Sequence, residues 1–183
     1  RVTASHSAAV AVYAGDLAER IGLPARTVWR VRLGGLLHDI GKVAVPTAVL
    51  CKAGPLDERE WALIREHPVV GETILRETPG AIGVLATVRY HHERPDGRGY
   101  PDGLPAAAIP HEASIVAVAD AYSAMTHARP YRAALSPDEA IAELELAAGD
   151  ALDAELVGTF CDLLRIETES YRRAQGQRFA YAS

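Results

Sequence analysis

The stretch from Ala113 to Met125 most constrains how this chain can fold. Ala113, Ile115, Val116, Ala117, Val118, Ala119, Ala121, Ala124 and Met125 make a helix that is apolar nearly all round. Such a helix belongs in the middle of a bundle. Asp120 lies at its centre. A buried carboxylate must be paired, hydrogen-bonded or bound to a metal. The composition agrees: 49% of the 183 residues are hydrophobic but only 6% are aromatic, so Ala, Leu, Val and Ile must build the interior. That balance favours packed helices over a sheet sandwich, and the length suits one domain, residues 1–183.

Other helices can be read from periodicity and caps. Val2 to Ile21 carries Val10, Tyr13, Ala14 and Leu17 on one stripe and ends at Gly22, with His6 one turn ahead of Val10. A second helix opens at Pro24-Ala25 and runs into Leu36-Leu37-His38-Asp39-Ile40-Gly41-Lys42. Val43 to Pro46 reads as an extended connector. Asp57-Glu58-Arg59-Glu60 is a capping box that starts a helix with Trp61, Leu63 and Ile64 inward. His67-Pro68 interrupts it, because Pro68 disfavours α geometry at His67 and fits the first turn of a new segment. Ala81 to Tyr90 forms a further helix ending in His91-His92-Glu93. Ser136 to Glu139 is a second capping box, and Asp153 opens the last helix. The tail 172–183 loses periodicity and is expected to fray or to join another element.

Between Arg94 and Pro110 the chain holds Pro95, Gly97, Gly99, Pro101, Gly103 and Pro105. Long connections of this kind are often functional, and the density of Pro and Gly predicts one ordered conformation. Arg129-Pro130-Tyr131-Arg132 follows the central helix as a candidate anion clamp.

Composition excludes some functions. The net charge of −5 argues against broad binding to nucleic-acid polymers, though a metal with a few basic residues can still make a local positive pocket. No apolar run is long enough to span a bilayer. Cys51 and Cys161 form no CxxC motif and are read as reduced structural thiols in a cytoplasmic domain. The chain opens at Arg1, inside a helical pattern, and is read as a piece of a larger protein.

Each polar motif has a bland explanation on its own. His38-Asp39 could be a salt-bridged helix end, His6 a satisfied core residue, His67 a corner residue, and His91-His92 two unrelated imidazoles at a helix terminus. Together, His6, His38, Asp39, His67, His91, His92 and Asp120 come from five helices. Two metals and one bridging carboxylate would use all seven.

The order of motifs resembles the HD-GYP domains, a branch of the HD metal-dependent phosphohydrolase superfamily. The resemblance rests on His38-Asp39-Ile40-Gly41-Lys42, His67-Pro68 with Gly71, and His91-His92-Glu93 with Asp96 to Pro101. Ala119-Asp120-Ala121, Arg129 to Arg132 and the closing Gly149, Asp153 and Val157 also fit. It implies an all-α bundle with a long GYP loop, a bridged centre of iron or manganese, and hydrolysis of cyclic dinucleotides, above all cyclic di-GMP. It also implies an upstream sensory or receiver domain and leaves room for a homodimer.

Carried over by motif, Asp39 bridges the metals, His6, His38 and Asp120 serve one of them, and His67, His91 and His92 the other. Lys42, Arg98, Tyr100, Arg129 and Arg132 contact the dinucleotide. Two positions depart from the pattern. Val2 stands where members with a third metal carry Glu, which implies two metals. Ser123 stands where the family commonly has Asp. The expected reaction is in-line attack by a hydroxide bridging two ions about 3.5–4 Å apart, with Lys42 and the arginines stabilising charge on phosphorus. The rivals are a mononuclear nucleotidase using His6, His38, Asp39 and Asp120, and a catalytically silent dinucleotide sensor or protein-interaction module.

Overall fold

The computed structural model describes residues 2–127 and 133–180, with side chains from Ser5 onward. Arg129 and Arg132, and the side chain of Val2, therefore lie outside the described residues. Those residues form ten α-helices linked by short 3-10 turns, and they contain no strand. The helices are α1 (Val2–Arg20), α2 (Ala25–Leu37), α3 (Thr47–Leu50), α4 (Glu58–Arg65) and α5 (His67–Arg76). They continue with α6 (Leu85–Tyr90), α7 (His111–Thr126), α8 (Pro137–Ala147), α9 (Ala154–Ile166) and α10 (Glu169–Arg172).

As its composition requires, α7 sits in the middle, packed by α1, α2, α6, α8 and α9. Ala113, Ile115, Val116, Val118, Ala119, Tyr122 and Ser123 are all buried on it. The main core gathers α1, α7, α8 and α9 around Tyr13, whose ring meets Tyr122, Phe160 and Tyr171 at centroid distances of 5.3, 5.8 and 5.4 Å. A smaller core under α5 and α6 uses Leu75, Ala81, Val84 and Val88 with Leu33, Leu37 and Ile40.

Two glycines are fixed by close approach. A Cβ on Gly41 would lie 1.9 Å from the carbonyl oxygen of His67, so only glycine lets the turn after α2 press against the start of α5. A Cβ on Gly99 would lie 2.4 Å from the Arg94 nitrogen, so the long loop can fold back on the end of α6 only with glycine there.

Three sequence expectations need correction. The extended connector expected over Val43 to Pro46 is confined to Val45 and Pro46, because Ile40 to Ala44 is a 3-10 turn in which Lys42 N–H and Val45 N–H donate three residues back, to Asp39 and Lys42. Helix α4 forms with its capping box intact but buries no residue, and Trp61 and Leu63 are 45% and 40% exposed. It is a two-turn helix whose main neighbour is α5, so its apolar side has no second layer to enter. The tail does not fray at 172. Arg178 pairs with the buried Asp16 at 2.9 Å, and Phe179 packs 5.3 Å from the Tyr13 ring.

Candidate metal centre

The site is built where α1, α2, α5, α6 and α7 meet: His6 and Asp120 come from within α1 and α7, and the C-terminal ends of α2 and α6 and the start of α5 supply the rest. Helix α2 stops at Leu37 because His38 closes it and the 3-10 turn begins at Ile40. The Nδ1 of His38 donates to the Gly35 carbonyl at 2.7 Å. Pro68 restarts the helix at α5, and His67 Nδ1 donates to the Ile64 carbonyl at 2.7 Å. At the end of α6, His91 Nδ1 donates to the Val88 carbonyl at 2.8 Å. A carbonyl can only accept, so in all three rings Nδ1 carries the proton. In the neutral ring Nε2 then presents a lone pair to the centre. Ordered imidazole ligands of metals are held in this way.

The inward donors converge. One oxygen of Asp39 and a ring nitrogen from each of His67, His91 and His92 lie within 4.8 Å of one another. Donors of His6, His38 and Asp39 form a second such group, so Asp39 belongs to both. Asp120 joins the second through His6 Nε2 at 3.0 Å and His38 Nε2 at 3.7 Å. All seven residues singled out in the sequence thus share one pocket, which is able to hold metal.

Its electrostatics ask for a cation. Burial opposes a charge on His38, but Asp39 and Asp120 outweigh it and push the imidazole up to about 9. Burial also resists ionisation of Asp39 and Asp120, yet neighbouring histidines hold both carboxyls well below their ordinary range. Burial, helped by His92 and His38, pushes His91 well below its usual value, and His92 falls to about 4 through burial. Two carboxylates therefore face two lone-pair imidazoles. Within the protein, His38 Nε2 and Asp39 Oδ1 are buried without a hydrogen-bond partner. A divalent ion would satisfy both, and the N and O donor set fits one.

The remaining sequence candidates sit differently. Lys42 Nζ lies 2.7 Å from Asp39 Oδ2, inside the site and paired with its central carboxylate. Tyr100 stacks on His92, with centroids 4.7 Å apart at 29°. Arg98 is exposed, its backbone N–H donates to Asp96 Oδ1, and its guanidinium makes no hydrogen bond or ion pair among the described residues.

Two contributors were not legible as such. Glu93, read only as part of His91-His92-Glu93, is buried. Its carboxylate accepts from the backbone N–H groups of Asp102 (2.7 Å), Gly103 (3.1 Å) and Leu104 (2.9 Å). That bracket, with the Arg89–Asp102 ion pair, holds the long loop so that Tyr100 lies against His92. His127 is the second. Its ring lies 5.9 Å from that of His6, and its Nδ1 is 2.8 Å from the Ser123 carbonyl. Ser123 is fully buried, and its hydroxyl is 2.9 Å from His6 Nδ1. A lone histidine after a helix end carries no sequence signal for such a place.

Comparisons with known proteins agree with this geometry. The HD domain family profile matches residues 2–156. The chain is 44% identical over 147 residues to the cyclic di-GMP phosphodiesterase response regulator RpfG of Xanthomonas campestris pv. campestris, covering 79% of this chain and 39% of that protein. It is 36% identical over 170 residues to 3'3'-cGAMP-specific phosphodiesterase 3 of Vibrio cholerae, covering 92% and 37%. It thus spans under half the length of these curated relatives. Among solved structures, Bd1817, an HDG"Y"P protein from Bdellovibrio bacteriovorus, superposes with a TM-score of 0.73 at 21% identity, over 89% of this chain and 52% of that one. With its His38-Asp39 doublet and its Gly99-Tyr100-Pro101 loop, the chain belongs to the HD domain family and to its HD-GYP branch.

Proposed function

We propose that this chain is the catalytic domain of a metal-dependent phosphodiesterase that hydrolyses a cyclic dinucleotide, cyclic di-GMP first among them. The observation that carries the reading is the pair of donor groups sharing Asp39, which suits two ions side by side. His6, His38 and Asp120 would hold one ion, His67, His91 and His92 the other, with Asp39 between. The resemblance to the HD-GYP domains implies iron or manganese, and the nitrogen and carboxylate donors are compatible with either. Such ions supply Lewis acidity and bring the pKa of water toward neutrality, so no separate side-chain base is needed.

The chain's own residues do the rest. Nδ1 anchoring on Gly35, Ile64 and Val88 fixes three imidazoles before any ion arrives, which limits reorganisation on binding. Lys42 partly neutralises Asp39 and stands beside the position where a phosphate would enter. As the substrate's charge arrives, Lys42 is the side chain able to turn from the carboxylate to a phosphate oxygen. Tyr100 forms a wall against His92 at the edge of the site. Arg98, Arg129 and Arg132 remain candidates for phosphate contacts. The response-regulator relative supports a receiver domain upstream of this one. No helix of the described residues is long and apolar enough to cross a membrane.

The test is incubation of metal-reconstituted protein with cyclic di-GMP and with 3'3'-cGAMP, following linear and mononucleotide products by chromatography. Hydrolysis that disappears with a chelator is the expected result. Tight binding without product at any metal loading would turn the reading to a sensor.

A further inference from the structure

The wall that Tyr100 begins continues onto α4, a helix whose sequence pattern points only to packing. The guanidinium carbon of Arg65 lies 6.0 Å from the Tyr100 ring centroid and 5.9 Å from that of Trp61. His92, Tyr100, Arg65 and Trp61 therefore form a continuous line of flat groups leading outward from the imidazole cluster. Trp61 is 45% exposed, and nothing on α4 is buried. The helix is nonetheless held firmly, by the Asp57–Glu60 capping box and by Lys52 on Glu60 at 2.5 Å.

Arg65, like the exposed Arg98, differs from the paired arginines around the loop. Arg76, Arg89 and Arg94 each hold a carboxylate, whereas Arg65 makes no hydrogen bond or ion pair among the described residues. A Trp and an Arg one turn apart could be simple surface decoration. Decoration does not explain why the same guanidinium also faces Tyr100 from another segment. Indole faces stack nucleobases, and an Arg fork matches the O6 and N7 acceptors of guanine, which adenine lacks as a pair.

We propose that Trp61 and Arg65 form a guanine subsite at the rim of the metal centre, with the base stacked on Trp61 and its O6/N7 edge read by Arg65. This rests on the cyclic-dinucleotide reading above and adds to it the groups that select the base.

The test exploits the chain's two tryptophans, Trp29 and Trp61. Trp29→Phe leaves Trp61 as the sole indole. This protein, metal-loaded, is titrated with the slowly hydrolysed phosphorothioate analogues of cyclic di-GMP and cyclic di-AMP, by fluorescence and by calorimetry in parallel. The expected result is quenching of Trp61 by the guanine ligand. Trp61→Ala should weaken its binding about ten- to a hundredfold, with Trp61→Phe retaining most of the affinity. Arg65→Lys keeps the charge but not the fork, so it should cut the preference for cyclic di-GMP over cyclic di-AMP about tenfold while sparing cyclic di-AMP. Melting curves check folding, which neither exposed side chain is expected to disturb. Calorimetric binding with unchanged Trp61 emission and unchanged Trp61→Ala affinity would overturn the subsite while leaving the proposed function standing. Wild-type selectivity in Arg65→Lys would show a point charge on phosphate and overturn the base-reading role. No heat with either analogue in the wild type would overturn both.

Discussion

His67 and His91 approach each other with their Nε2 atoms 3.4 Å apart, while each ring's Nδ1 is committed to a backbone carbonyl. Burial keeps His91 neutral. Two lone pairs at that distance repel unless a proton or a cation lies between them. A metal there removes the repulsion and stabilises the fold, by about 4 kcal/mol when free metal is a thousandfold above its Kd. We expect a chelator to lower the melting temperature clearly and metal to restore it. His91→Ala should take elemental analysis from two ions per chain toward one. A melting curve indifferent to chelator would contradict a resident ion.

Asp39 is the residue both donor groups share, and Lys42, His38 and His67 all lie against it. Asp39→Asn keeps the shape but removes the charge that would hold two cations together. It should lose both ions and all turnover, whereas any single His→Ala loses mainly one. Metal content of the purified variants, measured side by side, decides this. Retention of both ions in Asp39→Asn would refute the bridging position.

Ser123 replaces a charge with a hydroxyl, yet that hydroxyl still reaches His6 Nδ1 at 2.9 Å. A hydroxyl can accept as well as donate, so it can take the Nδ1 proton of His6 as the Gly35, Ile64 and Val88 carbonyls do for the other rings, while His6 Nε2 faces Asp120 at 3.0 Å. Losing such an outer partner typically weakens metal binding ten- to a hundredfold. Ser123→Ala should weaken only the ion nearer His6, by about tenfold in a chelator competition titration, and Ser123→Asp should recover it. Equal metal affinity in Ser123→Ala would mean that packing alone orients His6.

Glu93 holds the long loop by three backbone N–H bonds. Hydrogen bonds to a charged group contribute roughly 1.5–3 kcal/mol each, not additively. Glu93→Ala should therefore lower stability by about 3 kcal/mol or more and raise KM through a displaced Tyr100. Metal content should stay at the wild-type level, since Glu93 is not among the converging donors. Loss of metal in this variant would show that the bracket also sets the His91-His92 position.

What the sequence made legible divides along physical lines. Helix α7 could be placed at the centre because its apolar surface leaves no polar face, and α1 because Tyr13, Ala14 and Leu17 recur at helical spacing. The seven His and Asp candidates could be gathered because unpaired buried polar groups are costly, so they seek one another. Trp61 was misplaced because periodicity reports which side of α4 is apolar, not whether anything packs on it. Glu93 and His127 escaped because their roles come from how an irregular loop folds back and from a residue beyond a helix end, neither of which periodicity reports. In the same way, the docking of Arg178 and Phe179 onto α1 depends on a buried Asp16 that no local pattern announces.

That docking gives a prediction at alkaline pH. Tyr13 and Tyr122 donate to the carbonyls of Tyr171 and Arg172, and Tyr171 donates to Asp16 at 2.8 Å. Burial raises all three phenols: Tyr122 to about 12, and Tyr13 and Tyr171 further, with the Asp16 charge adding to the rise at Tyr171. In the unfolded chain each ionises near 10. The folded state thus binds the proton more tightly. The contribution is complete below pH 10 and is lost as pH rises through the folded values, over pH 10 to 12 for Tyr122 and higher for the other two. Each phenol that is protonated only in the folded state adds a slope of about 1.4 kcal/mol per pH unit. Stability should therefore fall steeply above pH 10, beyond the earlier loss as His38, held up at about 9, gives up its proton. Tyr171→Phe loses its bond to Asp16 and should be less stable than wild type at pH 8, but it should fall less steeply above pH 10, so the two curves converge. Urea unfolding at half-unit steps from pH 8 to 11.5 measures this. Parallel curves for the two proteins would show that Tyr171 carries no share of the alkaline transition.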